Sequence, residues 1–320
     1  MANVNAAATV WNCPNYTGEL FMIGANQTPF LNMIGGLQGV GIRTISTMEF
    51  SLGQTAALES ASQPAITETA SLTAPDPWTY VRGQDTNTVQ IFQRSVSVSY
   101  LKQSVTGAIK ADATTGLAVD GTAQPVQTEK DYQIAAHMRQ IAVNADYTFL
   151  NGSYQKATDA ATAAKSRGVI TACVTNTVNA NSAALSRALF NQIIREMASN
   201  GAEFVNPVVF CNAFQKQKLS EIYGFAPTDR NIGGVNIKQI ETDFALLGVV
   251  WAPNVPAGTL LIADLAFCSP VFLPVPEKGV LFYEELSKVG ASEKGQIYGQ
   301  IGLDYGPEEY HGKITNLATS

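Results

Sequence analysis

Apolar positions recur with a helical period in one long run near the middle of the chain. Between Thr128 and Asn151, Ala135, Met138, Ala142, Ala145 and Phe149 follow at spacings of three, four, three and four. This is the stripe that an amphipathic helix buries, and Ile134 and Ile141 widen it. Glu129, Lys130, Arg139, Gln140 and Asn144 fall mostly on other faces. Thr128 is placed to cap the start, with Asp131 as a shortened capping box. Asn151-Gly152 is placed to stop it, because both residues tolerate the left-handed conformation. Such a helix reaches roughly 36 Å, enough to serve as the spine of a domain.

Upstream, Thr28-Pro29-Phe30-Leu31-Asn32-Met33-Ile34-Gly35-Gly36 has the form of a short helix, capped by Thr28 and ended by Gly35. Residues 1–41 as a whole have the character of an arm, with Trp11, Tyr16 and Phe21 as apolar anchors. A strand is expected from Ile42, where Met48, Phe50 and Leu52 alternate. Val96, Val98 and Tyr100 alternate with serines, while Val89 and Ile91 sit in the opposite phase. A bulge between Phe92 and Ser95 would reconcile the two phases.

Residues 54–94 are different in kind. Ser, Thr, Ala, Gln and Pro dominate, and the segment has no core of its own. It is too long for an ordinary loop. Trp78, Tyr80, Ile91 and Phe92 are costly to leave in water, so the segment is expected to find an apolar partner on another molecule. As a two-legged hairpin it would reach roughly 60 Å. Arg82 and Arg94 complete the expected contact set, together with Trp11, Tyr16 and Phe21 of the arm.

Beyond the spine, the pattern alternates between helices and buried strands. A helix is expected from Ser182, burying Leu185, Leu189, Ile193, Ile194 and Met197 and ending at Asn200-Gly201. A strand at Pro207–Cys211 and a helix at Ala213–Tyr223 follow, the latter burying Phe214, Leu219 and Ile222. Further strands are expected around Val235–Ile240, Gly248–Trp251 and Thr259–Ala263. Interleaving of this kind marks an α/β unit. In the tail, Ile297, Ile301, Leu303 and Tyr305 share a face, Gly306-Pro307 turns the chain, and residues 311–317 resume a strand.

Four patches occur in an order that resembles one family. They are Gly18-Glu19-Leu20-Phe21 through Thr28-Pro29-Phe30-Leu31, Phe149-Leu150-Asn151-Gly152, Lys165-Ser166-Arg167-Gly168-Val169-Ile170, and His311-Gly312-Lys313-Ile314-Thr315-Asn316-Leu317. Each is short and degenerate. Their order is similar to that in a group of tailed-phage major capsid proteins. The resemblance implies an α+β fold of the Hong Kong 97 shell type. Residues 1–41 would be the arm, and 42–53 with 95–180 the peripheral domain, built on the spine helix 128–151. Residues 54–94 would be the extended β-hairpin loop, 181–290 the axial domain, and 291–320 a return to the peripheral domain. The implied function is a structural subunit that self-assembles into pentamers and hexamers of an icosahedral shell around double-stranded DNA. Portal and scaffolding or decoration proteins are the implied partners, and no charged helical prefix suggests a fused scaffold. In the type example of this fold, a lysine of the loop joins an asparagine of another subunit. Residues 54–94 contain no lysine, and Lys102 lies beyond them, so no such covalent link is expected. Two other readings remain open: a bacterial nanocompartment shell subunit, which shares the shell fold, or a phage tail or decoration protein with a related β-rich fold.

Composition bears on these alternatives. With 46% hydrophobic residues the 320-residue chain can fill one large core or two modest ones, while only 14% are charged. So few charges suit a surface partly hidden against other chains. The net charge of −6 disfavours a nucleic-acid grip, which needs clustered Lys and Arg, but suits a wall that encloses DNA without reading it. Cys13, Cys173, Cys211 and Cys268 are scattered, with no CxxC, so neither zinc nor a disulfide framework is expected. Residues 245–267 are broken by Pro253, Asn254, Pro256 and Asp264 and cannot cross a membrane as a helix. Gly35, Gly36, Gly39 and Gly41 lack the spacing and the following Lys-Ser/Thr of a phosphate loop. His137 and His311 are expected to be structural polar groups. Glu284-Glu285 and Glu308-Glu309 are expected on solvated faces or in salt bridges between subunits. No catalytic constellation emerges, and no cofactor, metal or enzymatic activity is expected.

Overall fold

The computed structural model describes residues 27–37, 42–56, 58–105, 129–223 and 238–319. In chain order the elements begin with a short helix α1 (Pro29–Met33), β1 (Arg43–Thr44) and β2 (Glu49–Thr55). A one-turn helix α2 (Glu68–Ser71) precedes β3 (Gly83–Thr88), β4 (Gln90–Ser99), α3 (Tyr100–Val105) and the spine α4 (Glu129–Asn151). Then come α5 (Val169–Ala172), β5 (Thr177–Asn179), α6 (Arg187–Ser199), β6 (Pro207–Cys211), α7 (Ala213–Tyr223), β7 (Gln239–Glu241), β8 (Leu246–Trp251) and β9 (Leu260–Asp264). The chain finishes with β10 (Ser269–Phe272), β11 (Leu281–Glu285), β12 (Ser292–Asp304) and β13 (Gly312–Thr315).

These strands make two sheets and a ribbon. The first sheet runs β1-β10-β12-β11, with β4 against the long β12. The second runs β5-β13-β9-β6-β8-β7, and β2 pairs with β3 alone. The spine packs on β4 and β12. All of β6 is buried, and its two faces serve two cores. Val208 and Phe210 join the apolar cluster that contains the spine and the first sheet. Val209 and Cys211 join a second cluster with Phe190, Ile193, Ile194 and Met197 of α6. An alternating strand buried on both sides thus welds the two halves together.

Several expectations are met closely. β6 and α7 have the expected bounds, and Gly201 ends α6 in the left-handed region at φ 89°. Ile297, Ile301, Leu303 and Tyr305 are all buried. Others are corrected. Ala135 is exposed, because Ile134, Met138, Ile141, Ala145 and Phe149 define the packed face. Gly152 does not end the spine through a left-handed turn. A Cβ there would lie 2.2 Å from the Ser166 carbonyl oxygen, so glycine is required by backbone contact. Helix α6 begins at Arg187, capped by Ser186, and not at Ser182, which turns at φ 64° under a hydrogen bond to Asn316. No bulge interrupts residues 92–95. β4 pairs continuously with β12, the phase change falls at Val89 between β3 and β4, and Ile91 simply faces out. The irregularity lies instead between Ser51 and Gln54, beside Gly53 at φ 125°.

Sheet membership also moves the borders set from sequence. β10 and β11, inside the stretch 181–290, belong to the first sheet, whereas β5 and β13 belong to the second. The chain leaves the second sheet at Asp264, whose carboxylate accepts the N–H groups of Val205, Asn206 and Ala266. It returns at buried His311, whose Nδ1 accepts the Asp264 N–H and whose Nε2 donates to the Tyr305 carbonyl. Burial holds this imidazole below its usual pKa, in keeping with a neutral structural group.

Candidate assembly surfaces

The β2–β3 ribbon is the unusual feature of the molecule, and its root and its tip behave oppositely. At the root Asn87 is fully buried. Its amide nitrogen donates to the carbonyls of Leu303 at 2.7 Å and Arg167 at 3.2 Å, and to Ser166 Oγ at 3.3 Å. Its oxygen accepts the Arg167 and Thr88 N–H groups at 2.8 and 2.9 Å. One side chain thus joins the ribbon, β12 and the segment after the spine. Around it, Arg167 pairs with Asp85 at 2.8 Å and reaches the Tyr305 hydroxyl at 3.2 Å. The same guanidinium lies over the Tyr154 ring at 5.0 Å, and the Tyr154 hydroxyl donates to Glu49 at 2.9 Å. Lys156 closes the set on Glu49, and these hydrogen bonds hold the Glu49 carboxyl below its usual range.

The Gly152 and Gly168 backbones make this clamp possible. Gly168 N–H donates to the Gly152 carbonyl at 2.9 Å, and a Cβ on Gly168 would come within 2.7 Å of Leu150. Two of the short patches singled out in the sequence therefore touch, and their product is Arg167 aimed at the ribbon.

A second buried node fixes α1 to the spine. Asp146 accepts the N–H groups of Leu31, at 2.9 Å, and Phe30, and also Asn254 Nδ2 at 2.7 Å. Thr28 was expected to cap α1; it bonds Asn32 instead, and the cap is supplied from the spine. Burial pushes the Asp146 carboxyl above its usual pKa, with its donors opposing the shift. Phe30 then meets Phe210 edge-on at 5.3 Å.

Past the root, support ends. Every residue described between Gly53 and Asp85 is exposed, including Leu58, Ile66, Leu72, Trp78 at 70%, Tyr80 at 52% and Val81 at 84%. Of the expected contact residues, Trp78 and Tyr80 lie on this tip. Arg82 bonds Gln54 across the ribbon at 3.3 Å. Ile91 is on β4 at 53% exposure and Arg94 is partly buried there. Phe92 is corrected: at 5% exposure it packs in the chain's own core, because it shares the inner face of β4 with Val96 and Val98. Trp11, Tyr16, Phe21 and the Thr128 cap lie outside the described residues. Sequence reasoning missed Asn87, Ser166 and Asp146, since single polar residues carry no periodic signal.

The remaining chemistry is structural. Glu284 pairs with Lys278, Glu285 with Lys130, and Glu308 accepts from Val174 and Thr175, so each of these acids has a partner on its own chain. Among the described residues no group of His, Cys, Asp and Glu could hold a metal ion. Cys173, Cys211 and Cys268 are buried and unpaired, and burial pushes the first two thiols up to about 12. No described helix is long and apolar enough to cross a membrane.

Residues 3–318 match the family model described as SU10 major capsid protein. No curated protein matches significantly. Among solved structures, the capsid asymmetric unit of cyanophage A-1(L) is similar at TM-score 0.63 and 10% identity, over 100% of both chains. The capsid of a native GTA particle gives 0.60 and 12%, over 99% of this chain and 98% of the other. The SrpI encapsulin of Synechococcus elongatus PCC 7942 gives 0.56 and 6%, over 97% and 93%. At such identities the structural likeness is one of fold.

Proposed function

Because the chain belongs to the SU10 major capsid protein family and is a structural shell protein with the Hong Kong 97-type capsid fold, we propose that its copies close into pentamers and hexamers. The capsomers form an icosahedral shell around double-stranded DNA. Closed rings need only one kind of head-to-tail contact, repeated. Many weak contacts per subunit add up to a durable wall. In this reading the second sheet with α6 and α7 faces the capsomer axis, and the first sheet with the spine forms the periphery. Portal and scaffolding or decoration proteins complete the particle, which is built in the host cytoplasm and contains no membrane. The net charge of −6 suits a wall that confines DNA without gripping it.

One observation carries this reading: a tip rich in exposed apolar side chains stands on a buried, fully bonded root. A single folded subunit gains nothing from that arrangement, whereas a neighbouring copy can cover the tip. Electron microscopy of the purified, expressed protein tests it. Closed spheres are expected. Tubes or small rings would favour a tail role, and genome-free spheres that load a tagged enzyme would favour the nanocompartment.

A further inference from the structure

We propose that residues Trp78–Arg82 of one copy add as a strand to the outer edge of β4 in a neighbouring copy, a proposal that rests on the shell reading. β4 offers a ten-residue edge. It pairs with β12 along its whole length, and among the described residues nothing pairs with its other side. A long edge of this kind is a template for another strand. Its solvent-side residues are Ile91, Gln93, Ser95 and Ser97, so Ile91 is the one large apolar side chain on that face.

The tip supplies a matching strand with a built-in polarity. Pro75 and Pro77 fix their own φ and hold Ala74 and Asp76 out of the helical region, which keeps this stretch extended. In a strand, backbone donors of residues two apart point to one side. The side shared by 75, 77, 79 and 81 therefore lacks two donors, while the side of Asp76, Trp78, Tyr80 and Arg82 is complete. Pairing that runs on through Pro77 and Pro75 is therefore open to one edge, the one whose residues include both aromatics. Trp78 and Tyr80 then lie on one face of the enlarged sheet, where exposed Ile91 is a fitting cross-strand partner.

Reach identifies the occupant. The chain's own tip cannot make this contact. β3 separates it from β4 by six residues, about 20 Å of strand, and β3 is locked to β2 and through Asn87 to β12. The strand has to come from another copy.

Single prolines at alternating positions test the pairing, read by particle yield from full-length protein. Tyr80→Pro is expected to abolish particles, whereas Tyr80→Ala, which keeps the donor, is expected to lower the yield only several-fold. Thr79→Pro and Val81→Pro are expected to assemble like the parent. Unchanged melting of the separated subunits shows that the fold is intact. Double variants carrying Tyr80→Cys with Ile91→Cys, Gln93→Cys or Ser95→Cys are expected to give disulfide-linked multimers on oxidation of particles. Equal effects of proline at both parities, or cross-links confined to single chains, would overturn strand addition while leaving the shell reading intact. Failure of the parent chain to form any particle would overturn the shell reading itself.

Discussion

β6 and the tip of the β2–β3 ribbon are opposite solutions to the same problem. All five residues of β6 are buried by the chain itself, with one face in each core. Between Gly53 and Asp85, every described residue is exposed. The difference lies in what surrounds each segment. β6 has a strand on both edges and helices or a second sheet on both faces. Among the described residues the tip has no partner strand beyond Thr55 and Gly83. Defects in the first region should therefore unfold the subunit, and defects in the second should spare the subunit and weaken the assembly.

The largest expected effect comes from removing the tip. Deleting residues 58–81 and joining the ribbon with a short turn should leave the subunit melting temperature near that of the parent and eliminate particles. Normal shells from the shortened chain would refute the division. Phe210→Ala strikes the other side. It removes a fully buried ring that touches Phe30 and should cost about 3–5 kcal/mol of subunit stability, measured by denaturant titration. Trp78→Ala should cost less than about 0.5 kcal/mol in the same titration, yet lower the denaturant concentration at which particles dissociate.

Between these extremes sits the root. Asn87→Ala leaves the Leu303 carbonyl and the Arg167 N–H without their buried partner and should cost about 1–3 kcal/mol. Hydrogen exchange should rise through β2 and β3 but not in β6. If exchange rose equally in both, the root would not be a separate anchor.

The smallest effect expected is one of pH, and it too divides the molecule. Glu49 is held below the usual carboxyl range, so its contribution to the root is present above that range and disappears as pH falls through the folded value. Asp146 is shifted upward by burial, so its folded form holds a proton more readily. The α1–spine contact is therefore strongest at low pH and weakens as pH rises from the ordinary carboxyl value through the raised one. Mild acid should loosen β2–β3 before α1, as followed by residue-resolved exchange. Asp146→Asn should flatten the second dependence.

The same contrast explains what the sequence revealed. β6, α7 and the inner face of β12 were legible because burial imposes a period on many residues at once. The tip was legible by its lack of any period. Ala135 misled because alanine fits either face of a helix, and Phe92 because its neighbours Val89 and Ile91 lie in the other phase. The sheet borders were hidden, since β5 and β13 find partners far along the chain that no local pattern names. Asn87 and Asp146 were hidden for a related reason. Each acts through hydrogen bonds to stretches far along the chain.

The absence of lysine from residues 54–94 adds a further expectation. Particles boiled in detergent should run as one monomer band, and a resistant ladder would show a covalent link through some other route.

Hydroxyl-radical footprinting of separated subunits and of intact particles bears most directly on the division between root and tip. Trp78 and Tyr80 should be oxidised readily in subunits and protected in particles, while Phe210 stays protected in both. Equal oxidation of Trp78 and Tyr80 in the two states would contradict the claim that a neighbouring copy covers the tip.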